Sequence, residues 1–257
     1  MLIALTHVVP EAISRCELTY LERQPIYYHL AVEQHTEYCR ALARNGASIL
    51  ELNENADYPD SCFVEDTAIV TDKLAVITRM GAESRRGEVN AIERFFSTRR
   101  EVIRISEPGT LEGGDVIVAG NRVFVGLSQR TNQEGIRQLG AILGSQGYTV
   151  SQVMMRDCLH LKSACTFIGE ETFLTNPEWL DLRPFEKARI LSVAQGEPWA
   201  ANALRVGETV LMGSTFVRTI DKLERSGFRV EGVPISEFLK AEAGLTCSSI
   251  LFDGDLS

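Results

Sequence analysis

Short apolar strands separated by tight polar turns recur along the chain, and most pairs are followed by an amphipathic stretch of helical length. Residues 67–70 and 74–78 flank a Thr71-Asp72-Lys73 turn, and the spacing predicts a helix from about residue 88 to 96. A second copy runs through 116–119, a Gly120-Asn121-Arg122 turn, 123–126 and a helix from about 132 to 143. In that helix the apolar residues Ile136, Leu139, Ile142 and Leu143 repeat at helical spacing, Asn132 suits an N-cap, and Gly147 lies beyond the C-terminus. Residues 164–168, Glu170-Glu171 and 172–174 begin a third copy. Residues 203–206, Gly207-Glu208, 209–212 and a helix from about 218 to 225 make a fourth. A fifth is completed only across the termini, from strand 247–252, strand 2–7 and a helix from about 26 to 44. Asp66, Asp115, Ala164 and Asn202 mark equivalent starts, 49, 49 and 38 residues apart. Repeats whose ends close on each other predict a radial α/β arrangement, with the strand starts converging near its axis.

Composition narrows the class. At 257 residues with 44% hydrophobic and 24% charged positions, the chain has the make-up of an ordinary soluble protein, expected to be one domain over residues 1–257. A net charge of −9 argues against nucleic acid as a partner. No run is long enough for a membrane span, and the 1–5 stretch lacks the basic flank of a signal peptide. The six cysteines show neither a CxxC pair nor dense disulfide spacing, so a reducing, cytoplasmic setting is expected, with most thiols simply packed.

Several polar residues stand out against this background. Cys247 sits between a small-residue turn and the apolar run Ile250-Leu251-Phe252. Alone it would be a packed thiol, but His160 offers an acid/base and Asp66 and Glu112 offer carboxylates at strand starts. Arg85 and Arg130 offer planar, permanently charged partners for a carboxylate. A thiol, an imidazole, paired acids and two arginines suit a reaction on a cationic amino acid. Asp115, after Gly113-Gly114, is read mainly as shaping its turn. That glycine pair is not a phosphate loop, since no lysine or helix follows at the right spacing. His7, His29 and His35 are read as structural or surface residues, and no metal site is expected.

Six segments together resemble the guanidine-modifying, or pentein, superfamily, and within it the bacterial-type dimethylarginine dimethylaminohydrolases. They are residues 60–66 (DSCFVED), 79–86 (RMGAESRR), 111–115 (LEGGD), 130–132 (RTN), 159–162 (LHLK) and 245–248 (LTCS), in order and at family-like spacings. The resemblance implies a five-bladed α/β propeller of ββαβ-type repeats with a central site. It implies hydrolysis of a methylated L-arginine (asymmetric dimethylarginine or monomethylarginine) to citrulline and an alkylamine, without a cofactor. Position by position, Cys247 falls on the nucleophile, His160 on the proton donor and Glu112 on the carboxylate beside it. Asp66 falls on the acid that holds the guanidinium, and Leu18, Asp60, Glu65, Arg85 and Arg130 on positions that bind the amino-acid end. Ala241 occupies a substrate position where the family usually carries Ile or Val, and the lid segment 19–28 is not a close match. A homodimer is the candidate assembly.

From these residues the expected state of the free site is a neutral Cys247 thiol beside a neutral His160, with the arriving guanidinium supplying the missing positive charge. Two rivals remain open: an arginine deiminase-type enzyme acting on unmethylated arginine or another guanidino compound, and a non-catalytic binding protein of the same fold.

Overall fold

Each repeat folds as a three-stranded sheet built in the same order, and the five sheets form one closed ring in the computed structural model, which describes residues 1–255. The first blade contains β1 (Leu2–His7), α1 (Tyr28–Arg44) and β2 (Ser48–Leu52). The second runs β3 (Ala68–Val70), β4 (Leu74–Ile77), α2 (Val89–Ser97) and β5 (Glu101–Arg104). The third runs β6 (Val116–Ala119), β7 (Arg122–Leu127), α3 (Gln133–Gly144) and β8 (Thr149–Met154). The short α4 (Leu161–Ala164) opens the fourth, followed by β9 (Cys165–Gly169), β10 (Thr172–Thr175) and β11 (Arg189–Ser192). The fifth runs β12 (Leu204–Val206), β13 (Thr209–Gly213), α5 (Val217–Arg225) and β14 (Arg229–Val233). After α6 (Ser236–Leu239), β15 (Ile250–Asp253) returns to the first blade.

In every blade the first strand is antiparallel to the middle one and the last strand is parallel to it. The parallel step needs a crossover, which is why a helix stands between the second and third strands. The fourth blade makes this crossover with an irregular segment and a single turn at Arg183–Phe185 instead. The first blade is completed across the termini, with Leu2 opposite Asp253 and Leu5 opposite Ile250, as the repeat pattern required. The expected helices form within one or two residues of their predicted ends, and the Asn132 side chain caps α3 by accepting the Gly135 N–H. The third strands were not assigned to residues from the sequence. They are the outer, half-exposed members of their sheets, so their apolar signal is weak.

Side-chain alternation explains how five small sheets make one body. In β4, Leu74 and Val76 face the third blade, while Ala75 and Ile77 face the first. In β10, Phe173 packs toward the third blade and Leu174 toward the fifth. Both faces of each middle strand are therefore buried, and the sequence reads as a continuous apolar run rather than an alternating one. Five apolar clusters lie between successive blades, each also filled by the blade's helix or, in the fourth, by Phe185. The inner strands surround an axial cavity of about 370 Å³, lined among others by Val70, Val118, Phe167, Arg205 and Leu251.

Phe173 is fully buried among Phe124, Phe167 and Phe185, joining two blades. Phe173→Ala should therefore destabilise the protein by about 3–5 kcal/mol in urea unfolding under reducing conditions. A cost below about 1 kcal/mol would mean that the blades do not depend on this contact.

Candidate active site

The segments that precede the inner strands meet at one end of the axis. Each is a single tight turn: Val64–Thr67, Gly113–Asp115, Leu161–Ala164 and Thr246–Ser248. Buried polar side chains stitch one turn to the next. Asp66 Oδ1 accepts the Gly114 N–H at 2.9 Å, Asp115 Oδ1 accepts the Leu161 N–H at 2.9 Å, and Asn202 Oδ1 accepts the Thr246 N–H at 3.0 Å. The equivalent starts seen in the sequence thus share one task, except at Ala164, which has no such side chain. The Asn202 amide also donates to the Lys162 carbonyl and to Thr246 Oγ1, so the residue before Cys247 is held from two directions.

Close approach explains two of the glycines. A Cβ on Gly114 would lie 2.7 Å from His160 Nδ1 and 2.8 Å from Asp66 Oδ1, and one on Gly244 would lie 2.3 Å from the Asn202 side chain. Neither position tolerates a side chain without displacing the residues around Cys247.

A small cleft of about 20 Å³ gathers most of the sequence candidates: Asp60, Asp66, Arg85, Arg130, His160, Ala241 and Cys247 all line it. Glu112 is fully buried behind it and accepts a 2.8 Å hydrogen bond from His160 Nε2. Its other oxygen accepts the Gly81 and Ala82 N–H groups. Cys247 is half-buried, and its Sγ accepts the Gly244 N–H at 3.4 Å. Asp60 accepts the Glu17 N–H through both oxygens, fixing the chain just before Leu18.

Three candidates sit differently from the rest. The Glu65 carboxylate lines the axial cavity, not the Cys247 cleft, and is bound by Lys162 Nζ at 2.6 Å and Thr246 Oγ1 at 2.7 Å. The Leu18 side chain packs into the apolar cluster between the first and fifth blades. Arg85 commits four of its five N–H groups to the protein: Nε and Nη2 donate to Glu88, Nη2 also to the Phe63 carbonyl, and Nη1 to Asp66 Oδ2 at 2.8 Å. That leaves Arg85 a single uncommitted N–H. Arg130 is freer, with one 3.1 Å bond to Thr19 Oγ1 and Glu112 at 3.5 Å.

Residues that carried no signal in the sequence also shape the cleft. Glu242 lines it, with a left-handed backbone (φ 56°), and its carboxylate accepts the N–H groups of Thr19, Tyr20 and Leu21. These contacts span more than 220 residues of sequence, so no local pattern announces them. Glu88 is the buried partner of Arg85.

The electrostatics follow from this crowding. Burial would lower the His160 pKa, but Asp66, Glu112 and Asp115 outweigh it and raise it above the ordinary value, so the imidazole is protonated near neutral pH. This corrects the expectation of a neutral His160. Burial likewise opposes ionisation of Glu112, yet the His160 hydrogen bond and the charges of His160, Arg85 and Arg130 keep it ionised. Burial lifts Asp115 to about 6. The Cys247 thiol is pushed up to about 12 by burial, with Glu65 and Asp66 adding to the effect, which agrees with a neutral thiol. Asp66, Glu112 and His160 offer donor atoms close enough to share an ion. However, Asp66 is already paired with Arg85 and Gly114, and Glu112 with His160, which leaves little donor capacity for one.

The chain matches the arginine deiminase family over residues 54–211. It is 40% identical over 229 residues to the N(G),N(G)-dimethylarginine dimethylaminohydrolase of Pseudomonas aeruginosa, covering 88% of this chain and 89% of that protein. A cysteine-to-serine mutant of the Pseudomonas aeruginosa enzyme complexed with citrulline superposes with a TM-score of 0.90 at 35% identity, covering 97% and 98% of the two chains. A histidine-to-glycine dimethylarginine dimethylaminohydrolase adduct with S-methyl-L-thiocitrulline superposes with a TM-score of 0.93 at 36% identity, covering 98% and 100%. Similarity that runs through nearly the full length in both sequence and fold places this chain in the dimethylarginine dimethylaminohydrolase family of the pentein superfamily.

Proposed function

We propose that this protein hydrolyses Nω-methylated L-arginine to L-citrulline, releasing dimethylamine or methylamine through a covalent cysteine intermediate. The observation that carries the reading is the convergence of Cys247, His160, Asp66 and Arg130 on one cleft with Glu112 bound to His160. The relatives crystallised with citrulline or as a thiocitrulline adduct support the same chemistry. The cleft carries the acids Glu17, Asp60, Asp66 and Glu242 against Arg85, Arg130 and the protonated His160, a balance that still leans toward a cationic ligand. No helix among the described residues is long and apolar enough to cross a membrane. The cysteine spacing, without CxxC pairs or a dense disulfide pattern, is the ground for proposing a reducing, cytoplasmic setting.

In this mechanism Asp66 pairs with the guanidinium, and Arg130 takes the α-carboxylate. Arg85 acts mainly through Asp66, whose carboxylate it orients. The arriving cation stabilises the Cys247 thiolate, and the thiol proton passes to solvent. The sulfur adds to the guanidinium carbon, and His160, held by Glu112, gives its proton to the departing amine. The S-alkylthiouronium that remains is attacked by a water that the now neutral His160 deprotonates. Citrulline leaves as the C–S bond breaks, and the thiolate regains a proton. A cleft of about 20 Å³ is too small for an amino acid, so part of its wall has to shift to admit one.

The decisive assay measures citrulline from asymmetric dimethylarginine, monomethylarginine and arginine, with Cys247→Ser as control. Turnover of the methylated substrates, abolished in the serine variant, is expected. Release of ammonia from arginine alone would favour the deiminase rival, and no citrulline from any of them would favour the binding protein.

The two arginines should separate. Arg130→Ala should raise KM for the amino acid by about tenfold or more and matter little for a simple alkylguanidine. Arg85→Ala leaves Asp66 and Glu88 buried without their cation, so it should lower stability by about 3–5 kcal/mol and impair both substrates. Equal behaviour of the two variants would refute this division.

Alkylation of Cys247 should titrate well above the ordinary thiol value of about 8.5 in the free protein. It should shift downward when a small unreactive guanidinium is present. A free-protein midpoint below about 7, unmoved by the ligand, would point to a standing Cys–His ion pair.

A further inference from the structure

Between α1 and β2 of the first blade, at residues that do not line the cleft, three different metal-donor types converge. His35 and Cys39 stand one turn apart on α1, and Glu51 comes from β2 beneath it. His35 Nδ1 lies 3.7 Å from Cys39 Sγ and 3.8 Å from Glu51 Oε1, and all three donor atoms lie within 4.8 Å of one another. We propose that His35, Cys39 and Glu51 form a binding site for a zinc-class divalent cation, separate from the catalytic centre.

The spacing fits such an ion better than it fits direct contacts. At 3.8 Å the imidazole and carboxylate are too far apart for a hydrogen bond, and a thiol at 3.7 Å is a weak partner. Zinc bonds of about 2.0–2.3 Å place tetrahedral donors about 3.3–3.6 Å apart, so the two distances from His35 need adjustments of only about half an ångström or less, and the Cys39–Glu51 pair closes from within 4.8 Å by rotation of the half-exposed Glu51 side chain. The i, i+4 helical spacing puts both side chains on one face, as in helical zinc motifs. A nitrogen, a sulfur and an oxygen donor suit a borderline-soft ion rather than calcium or magnesium.

The burial supports this reading. His35 is 4% exposed, and its Nδ1, the ring nitrogen that faces Cys39 and Glu51, has only the weak 3.7 Å thiol contact within the protein. The Glu51 side chain is 46% exposed, which gives the ion a route from solvent and leaves room for a water as fourth ligand. On binding, the Cys39 S–H bond is replaced by an S–metal bond and the proton passes to solvent, with no change of oxidation state. The ion would tie α1 to β2 in the blade that closes the ring.

The test uses the full chain with Cys247→Ser, which removes the other accessible thiol. Cobalt(II) should bind with a near-ultraviolet thiolate-to-cobalt charge-transfer band, and zinc should compete for one equivalent and raise Tm. Adding Cys39→Ser should abolish the band and the Tm rise. Glu51→Gln, at a half-exposed position, should weaken the affinity by more than about tenfold without unfolding the protein. Absence of the band in Cys247→Ser, its survival without Cys39, or an affinity indifferent to Glu51→Gln would each overturn the proposal.

Discussion

Polar groups buried at the axis have to find partners inside the protein, and the ring is organised around that requirement. The strand starts converge where water is scarce, so each unsatisfied amide there would cost on the order of 1–3 kcal/mol. Asp66, Asp115 and Asn202 meet the cost by accepting a backbone N–H from a neighbouring blade's opening turn. The bonds that close the propeller therefore also set the positions of His160 and Cys247, which lie within one residue of the amides being bound. Glu65 and Lys162 do similar work deeper in the axis, joining the second and fourth blades through a buried ion pair.

This arrangement concentrates negative charge, and the site's chemistry follows from how that charge is balanced. Arg85 compensates Asp66 and Glu88, while the protonated His160 compensates Glu112. For the thiol, the Gly244 N–H and the Lys162 charge offset too little, and burial beside Glu65 and Asp66 disfavours its ionised form. What the cleft lacks is a mobile cation next to the sulfur, and a guanidinium has the right charge and planarity to supply it. Under the proposed mechanism selectivity would arise before any bond forms, with the thiol ionising when a guanidinium arrives beside it.

The 19–28 segment belongs to the same electrostatic network. Three of its amides converge on Glu242, and its Thr19 hydroxyl accepts from Arg130, which in turn lies beside Glu112. Ala241, small where relatives of this type were expected to carry a branched residue, is buried against the same cleft.

The repeat of strand, turn, strand and helix was legible because middle strands buried on both faces leave continuous apolar runs such as Leu74–Ile77, and helices leave a 3.6-residue period. Closure across the termini was legible for the same reason, since an unpaired strand remained at each end. Cys247, His160, Glu112 and Asp66 could be named because their segments, taken together and in order, resemble those of a known family. Side-chain direction could not be read, because it depends on partners distant in sequence. Glu65 and Asp66 are adjacent, yet one turns to Lys162 and the axial cavity and the other to Arg85 and the cleft. Arg85 looked free to hold a substrate carboxylate until Glu88 and Asp66 were found around it. The charge on His160 was misjudged because three carboxylates from two other turns converge on it. Local sequence determined which elements form and which chemical groups the protein owns. Only the tertiary structure decided which of those groups face one another, because contacts across the ring obey packing and charge compensation rather than order along the chain.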